Sequence, residues 1–470
     1  MDQKAHLKQV LLEYIDKMDD KALEFQGVIA GTSEDIWLKG FAKPYREDNP
    51  HIVYSISKSF ACLALGLLYD DGLVNLHKPL IEYYPEYQDL AKGYMKEVTL
   101  HHLLAMNAGT DTATTGRICT HEKGDDWAKN FFSDDLVWKP GTHFQYNTPG
   151  SYMIARTVRK IGGQKALDLL KDRIFRPMEI EDTRWEECPL GNPIGGWGLW
   201  MKPTDLFKIG QLILKKGMWN GKQLISKEWI ELMAQKHSNT DHLNDPTECG
   251  YGYQVWHNVG GGISFRGMFG QYCIMIPEKD CVIVLHSSNF KKKEHGEVIG
   301  ELLGKIPDLH GYDKVKAPEI LDGLCFPPLP ESKSMRFSDG QHLSYKMEAN
   351  EEGYEWIEMA FYKDHGILTL KYSQEEGGYV NNLPFAYGKW SYGTRVCREH
   401  INFWSGGSKK VAVCAQWEDE NIRFKMRFYE CCDEETWNCR LEDDKLQIER
   451  RLNCADHNAI IKETLYGVKK

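Results

Sequence analysis

Nothing in this chain is apolar for long enough to cross a bilayer. The longest such stretch, Phe60 to Leu68, is interrupted by Gly66, whereas a spanning helix needs about 20 apolar residues. The first ten residues carry no apolar core of the kind a secretion signal has, so a cytoplasmic protein without a membrane partner is expected. Basic residues are outnumbered 58 to 68, for a formal net charge of −10, and Lys291 to Lys293 is only a short run. A nucleic-acid binder needs a basic stripe, so that class is excluded. The 13 cysteines include no Cys-x-x-Cys pair, and Cys431, Cys432, Cys439 and His457 sit at no familiar zinc-ligand spacing. An odd, scattered set of thiols makes no disulfide framework either; reduced, buried thiols are expected, with no metal and no cofactor. Gly-x-Ser-x-Gly is also missing, which sets aside the elbow of the Ser-His-Asp hydrolases.

What is present is a 470-residue chain of ordinary apolar content, enough for two or three domains. Leu7, Val10, Leu11, Tyr14, Ile15 and Met18 recur at helical spacing, and two strand-like runs follow, Gln26 to Ala30 and Asp35 to Phe41. Thr99 is placed to cap a helix through Met106. Its adjacent His101 and His102 point in different directions, which suits structural roles better than ligation. Further helices are expected over 152–161, 165–173 and 204–216, and strands over 251–257, 271–276 and 281–287. The pattern is α/β: an antiparallel β-sheet flanked by helices, with a helical lobe between its early and late strands. Pro307, Pro318, Pro327, Pro328 and Pro330 mark 306–334 as a linker. Beyond it, strand-like runs at Trp356 to Tyr362, Ile367 to Tyr372, Val411 to Trp417 and Phe424 to Tyr429 predict an all-β barrel or sandwich. The domains are therefore expected at 1–305 and 335–470.

The stretch with most chemical content is Ser55-Ile56-Ser57-Lys58, running into an apolar helix. Residues three apart share a helix face, so Lys58 can sit beside the Ser55 hydroxyl and take its proton. A helix start adds free N–H groups and a positive dipole end. The same spacing recurs at Ser288-Asn289-Phe290-Lys291, which reads as a solvated turn with no apolar helix behind it. A second element, Lys139 to Gly150, presents Tyr146 at a loop edge, where a phenol beside an ammonium would have its pKa lowered and serve as proton shuttle. A third, Ser264 to Tyr272, offers small residues at a strand edge, where substrate can approach the backbone and an N–H can face an oxyanion.

In this order and spacing the three elements resemble the serine β-lactamase and penicillin-binding-protein superfamily, in particular its class C β-lactamase-like esterases and amidases. Val53 to Phe60 is similar to the family's nucleophile helix and Thr99 to Gly109 to its next helix and loop. Gly195 to Leu199 with Thr204 to Leu206 is similar to its glycine loop and the helix start after it. The resemblance implies Ser55 as acylated nucleophile, Lys58 as activating partner, Tyr146 as proton shuttle, and an oxyanion hole from the backbone of Ser55 and of a residue near Met268. It implies substrate contacts at Asn147, Arg266, Gly267 and Trp197, and a small-molecule ester, amide or peptide as substrate, β-lactams and D-amino-acid peptides included.

Two motifs depart from the family. Y-x-N stands as Tyr146-Asn147-Thr148, while a literal Tyr379-Val380-Asn381 falls in the β-rich tail. K-T-G or H-x-G stands as Phe265-Arg266-Gly267, which weakens recognition of a substrate carboxylate unless Arg266 supplies it; Phe265 would then be an apolar wall. The alternative is a catalytically weak, penicillin-binding-like ligand-binding or sensor protein. Oligomeric state is left open.

Overall fold

The computed structural model describes residues 3–120, 122–243, 245, 247–311, 317–332, 336–397, 407–442, 444–454 and 459–469. His457 and parts of the expected linker, 312–316 and 333–334, lie outside the described residues. The chain forms two compact units: Met1–Gly40 with Glu47–Asp322, and Phe41–Arg46 with Gly323–Lys470.

In the first unit the expected hairpin, Phe25–Gly31 and Ile36–Phe41, joins strands from far along the chain. Phe25–Gly31 pairs antiparallel with Cys281–Ser287, Val28 opposite Leu285. The seven-stranded sheet runs Glu319–Ile320, Ile36–Phe41, Phe25–Gly31, Cys281–Ser287, Gln271–Ile276, Ile263–Gly267, Trp256–His257. All seven residues of Cys281–Ser287 are buried, as a strand covered on both faces requires. Cys273 and Val282 face Gly210 of helix Pro203–Leu214, whereas Tyr272 faces His295 of helix Lys292–Lys305. Strand alternation puts these helices on opposite faces of the sheet.

The helical lobe is built around Ser57–Asp70, buried from Ser57 through Leu68. A helix with no polar face must be wrapped, and Thr148–Gly162, Ala166–Leu170 and Lys227–Ala234 pack around it. Thr99 caps Leu100–Leu104 in a reciprocal box with His102, and His101 Nδ1 lies 2.6 Å from the Tyr253 hydroxyl. Both histidines therefore hold structure.

Two local expectations are corrected. The strand over 251–257 survives only as Trp256–His257, because Gln254 takes a left-handed φ of +57° and turns the chain. Ser288 is no solvated turn: Ser288 and Asn289 are buried, Asn289 Oδ1 accepts the Glu24 N–H at 2.7 Å, and helix Lys292–Lys305 follows with Val298, Ile299, Leu302 and Leu303 inside. Its charged first turn hid that helix.

The second unit is a ten-stranded sheet, from Gln341–Met347 to Ala459–Lys469, that closes into a barrel where Val380–Tyr387 pairs with Gly407–Glu418. Ile357, Met359 and Phe361, like Phe424 and Met426, alternate into its core. The four expected strands lie within Tyr354–Phe361, His365–Tyr372, Gly407–Glu418 and Asn421–Phe428, up to their last residues. Asn381, of the literal Y-x-N, belongs to this barrel, where its side chain exchanges hydrogen bonds with both main-chain groups of Val396.

Candidate active site

Ser55 lies in a single tight turn, Tyr54–Ile56, and the α-helix proper begins at Ser57. The turn is strained: Tyr54 sits at φ +48°, a region that disfavours a bulky residue. Its neighbours hold it there. The Tyr54 ring packs edge-on to Phe269 at 5.2 Å, Val53 N–H donates to Leu199 O at 2.9 Å, and the Ser57 hydroxyl donates to Tyr54 O at 2.6 Å. Gly267 is close behind, since a Cβ there would collide with the Val53 carbonyl. The space left by Gly267 is thus filled by the nucleophile segment's own backbone, a different use from the substrate approach expected of it.

Lys58, one turn on and 1% exposed, donates from Nζ to Ser55 Oγ at 2.9 Å and to the Gly196 carbonyl at 2.6 Å. Gly196 comes this near because it has no side chain; a Cβ would overlap Thr148 Cγ2. Burial strips the ammonium of water and drives its pKa down from 10.5 to about 7. Near neutral pH a large share of Lys58 is therefore an uncharged amine with a lone pair for the Ser55 proton.

The Tyr146 phenol lies near enough to the Ser55 hydroxyl to feel it electrostatically, and Lys58 Nζ lies 4.9 Å over its ring. The expected downward shift of this phenol is corrected: burial raises its pKa, and the nearby Ser55 hydroxyl offsets that only in part. The physical reason is that burial strips the phenol itself of water and so disfavours its charged form. The Tyr146 ring stacks on Trp256 at 5.7 Å and 20° and meets Tyr251 edge-on, in a cluster with Met106 and Phe144.

The other expected substrate contacts are engaged within the protein. Asn147 is buried, donating to Thr110 Oγ1 at 2.9 Å and accepting from Thr114 Oγ1 at 3.1 Å. The Arg266 guanidinium donates to Ser264 Oγ (2.8 Å), Thr247 O (2.8 Å) and Asn258 Oδ1 (3.0 Å), with Trp256 below it. Phe265 is fully buried against Phe60 of the nucleophile helix, which corrects its expected place in a pocket wall. The buried Trp197 ring lies 6.2 Å from Trp127, inside the helical lobe. Met268 opens the turn after Ile263–Gly267 and is 48% exposed.

Sequence reasoning missed Gln254. Its amide accepts from Ser151 Oγ at 2.6 Å and donates to the Leu103 and Leu104 carbonyls at 3.0 Å, while its own carbonyl accepts from Ser59 Oγ at 2.7 Å. One buried residue thus joins the helix of Lys58 to the helix that follows Tyr146. No local sequence signal marks it, because its partners are all distant. Gln254→Leu leaves the buried Ser151 hydroxyl without its acceptor and takes one of two donors from each of the Leu103 and Leu104 carbonyls; it is expected to destabilise the fold by about 1–3 kcal/mol, read as a lowered denaturant midpoint.

Residues 19–303 match the family described as Beta-lactamase. Among curated proteins, the chain is 24% identical over 277 residues to 6-aminohexanoate-dimer hydrolase of Paenarthrobacter ureafaciens, covering 54% of this chain and 69% of that one. Among solved structures, it is similar to the penicillin-binding protein homologue of Pyrococcus abyssi, described as octameric, over all of both chains (TM-score 0.51, 16% identity). It is also similar to EstCE1, a hydrolase with promiscuous acyltransferase activity, over 65% of this chain and all of that one (TM-score 0.53, 13% identity).

Proposed function

The chain belongs to the Beta-lactamase family, and from that premise we propose that it is a serine hydrolase that cleaves a small ester or amide through an acyl-enzyme on Ser55. The observation that carries the reading is the contact of Lys58 Nζ with Ser55 Oγ at 2.9 Å, by a lysine whose pKa burial has brought to about 7. In the uncharged state Lys58 accepts the Ser55 proton as Oγ attacks the acyl carbon. The tetrahedral oxyanion takes hydrogen bonds from the Ser55 N–H and from the backbone near Met268. The proton then passes through the neutral Tyr146 phenol to the leaving alkoxide or amine, and the acyl ester remains on Ser55. Water repeats the sequence, giving up its proton towards Lys58 as it attacks, and Ser55 is released with its hydroxyl restored. The resemblance to 6-aminohexanoate-dimer hydrolase supports an amide among the substrates.

The test is labelling by a fluorophosphonate, with the modified peptide mapped by mass spectrometry. The adduct is expected on Ser55. An adduct on Ser288, or on a peptide from 335–470, overturns both the assignment and the proposal that the chemistry resides in 1–305 with the barrel an accessory domain; of the proposed linker 306–334, Glu319–Ile320 pairs into the first unit's sheet.

The site favours uncharged acyl groups over β-lactams. The position that would receive a β-lactam carboxylate is Arg266, and its guanidinium is committed to Ser264, Thr247 and Asn258. Nitrocefin turnover is therefore expected to be at least about tenfold slower in kcat/KM than that of a short-chain p-nitrophenyl ester, the worth of one charge-assisted hydrogen bond. Efficient hydrolysis of several carboxylated β-lactams, unaltered by Arg266→Ala, would contradict this.

A further inference from the structure

We propose that Ser57, which has no part in the proton transfers above, is a positioning residue whose hydroxyl ties the nucleophile turn to the loop that holds the base. The inference rests on the serine-hydrolase reading and goes beyond it. A serine on a helix often donates to the carbonyl three residues back, and that alone would mean little. Here the carbonyl is that of Tyr54, the residue at φ +48°. The peptide joining Tyr54 to Ser55 is planar and trans, so its C=O and the Ser55 N–H point in opposite directions. Holding the Tyr54 oxygen therefore aims the Ser55 N–H, the group proposed to meet the oxyanion. The backbone N–H of Ser57 also reaches Tyr54 O, so the hydroxyl is a second hold on that peptide.

The hydroxyl does what the backbone bond cannot. It accepts the Leu199 N–H at 3.1 Å, while the Leu199 carbonyl accepts the Val53 N–H at 2.9 Å. Leu199 ends the loop in which Gly196 takes the Lys58 amine at 2.6 Å. The bonds form a closed circuit: Ser55 to Lys58, Lys58 to Gly196, along the loop to Leu199, then through the Ser57 hydroxyl to Tyr54 and back to Ser55. With Lys58, Ser57 supplies a side-chain link between turn and loop in this circuit. It is fully buried, so solvent does not replace the hydroxyl when it is removed.

The test compares Ser57→Ala and Ser57→Cys with the wild-type chain on a p-nitrophenyl ester. For Ser57→Ala, kcat is expected to fall on the order of 10- to 100-fold, the cost of misaimed catalytic groups. KM should stay within about threefold, because Ser57 does not face the substrate. Fluorophosphonate labelling should slow in parallel, since the phosphonyl oxygen uses the same N–H. Ser57→Cys, a weaker donor and acceptor of similar shape, should recover part of kcat. An unchanged kcat in Ser57→Ala, or a loss confined to KM, overturns the proposal even if the melting temperature falls. If Ser57→Ala does not fold, Ser57→Cys decides: reduced kcat at unchanged KM supports the role, and full kcat overturns it. Failure of the underlying reading shows separately, as a wild-type chain that is not labelled at Ser55.

Discussion

Ser55→Ala is expected to abolish turnover, by on the order of 10⁴-fold or more in kcat, while leaving the fold intact. The side chain is small and partly exposed, and its removal creates no cavity of consequence. Lys58 keeps its bond to Gly196, so the base stays in place beside an absent nucleophile. The measurement is pre-steady-state kinetics with a p-nitrophenyl ester. The wild-type chain should release a burst of p-nitrophenol as the acyl-enzyme forms, and the variant should release none. Circular dichroism and the melting temperature should match between the two. Residual turnover close to wild type would place the nucleophile elsewhere and remove the basis for every step above.

Replacing Lys58 and Tyr146 is expected to cost on the order of 10²- to 10⁴-fold each, and little more together than singly. The two side chains are proposed to serve one proton path: Lys58 bonds Ser55 Oγ, the Tyr146 phenol interacts with the same hydroxyl, and the amine lies over the phenol ring. Removing either breaks the same transfer, so the losses in Lys58→Ala and Tyr146→Phe should not multiply. A double variant showing the full product would mean independent roles. The pH dependence gives a second reading of the same unit. Lys58 is the base only when uncharged, so kcat/KM should rise with pH through about 7. Because burial raises the Tyr146 pKa, that phenol should add no falling limb below its ordinary value of 10. Lys58→Ala should flatten the acid limb, and Tyr146→Phe should lower the whole curve without moving it.

The parts of this protein legible in the sequence are those set by local spacing. Ser55 and Lys58 meet because they are three residues apart on one face, and Thr99 caps because a threonine stands where an apolar helix begins. The alternation of Ile357, Met359 and Phe361 declares a strand with one buried side. The rest depends on partners no window contains. Asn147 and Arg266 read in the sequence as ligand contacts, and nothing local announces their bonds to Thr110, Thr114, Thr247 and Asn258. The Tyr146 shift has the opposite sign because the phenol is itself buried, and how deeply it is buried depends on residues far away in the chain, such as Tyr251 and Trp256. Glu434–Leu441 and Lys445–Cys454 were hidden as strands by their charges, yet Glu435 and Arg450 are both 2% exposed and bonded to each other inside the barrel.

The barrel's closure has a consequence for how molecules of this protein behave at high concentration. A sheet with an unpaired border strand offers a row of free amides and carbonyls to any other copy, which is the usual route to edge-to-edge aggregation. At the seam between Val380–Tyr387 and Ser391–Cys397, the Asn381 carboxamide takes the Val396 N–H at 2.8 Å and gives its own N–H to the Val396 carbonyl at 3.0 Å. A side chain there imitates one rung of a β-ladder and occupies two groups that a neighbouring copy could otherwise use. The asparagine that resembles a catalytic motif in the sequence is, in the folded molecule, a stand-in rung at a sheet border.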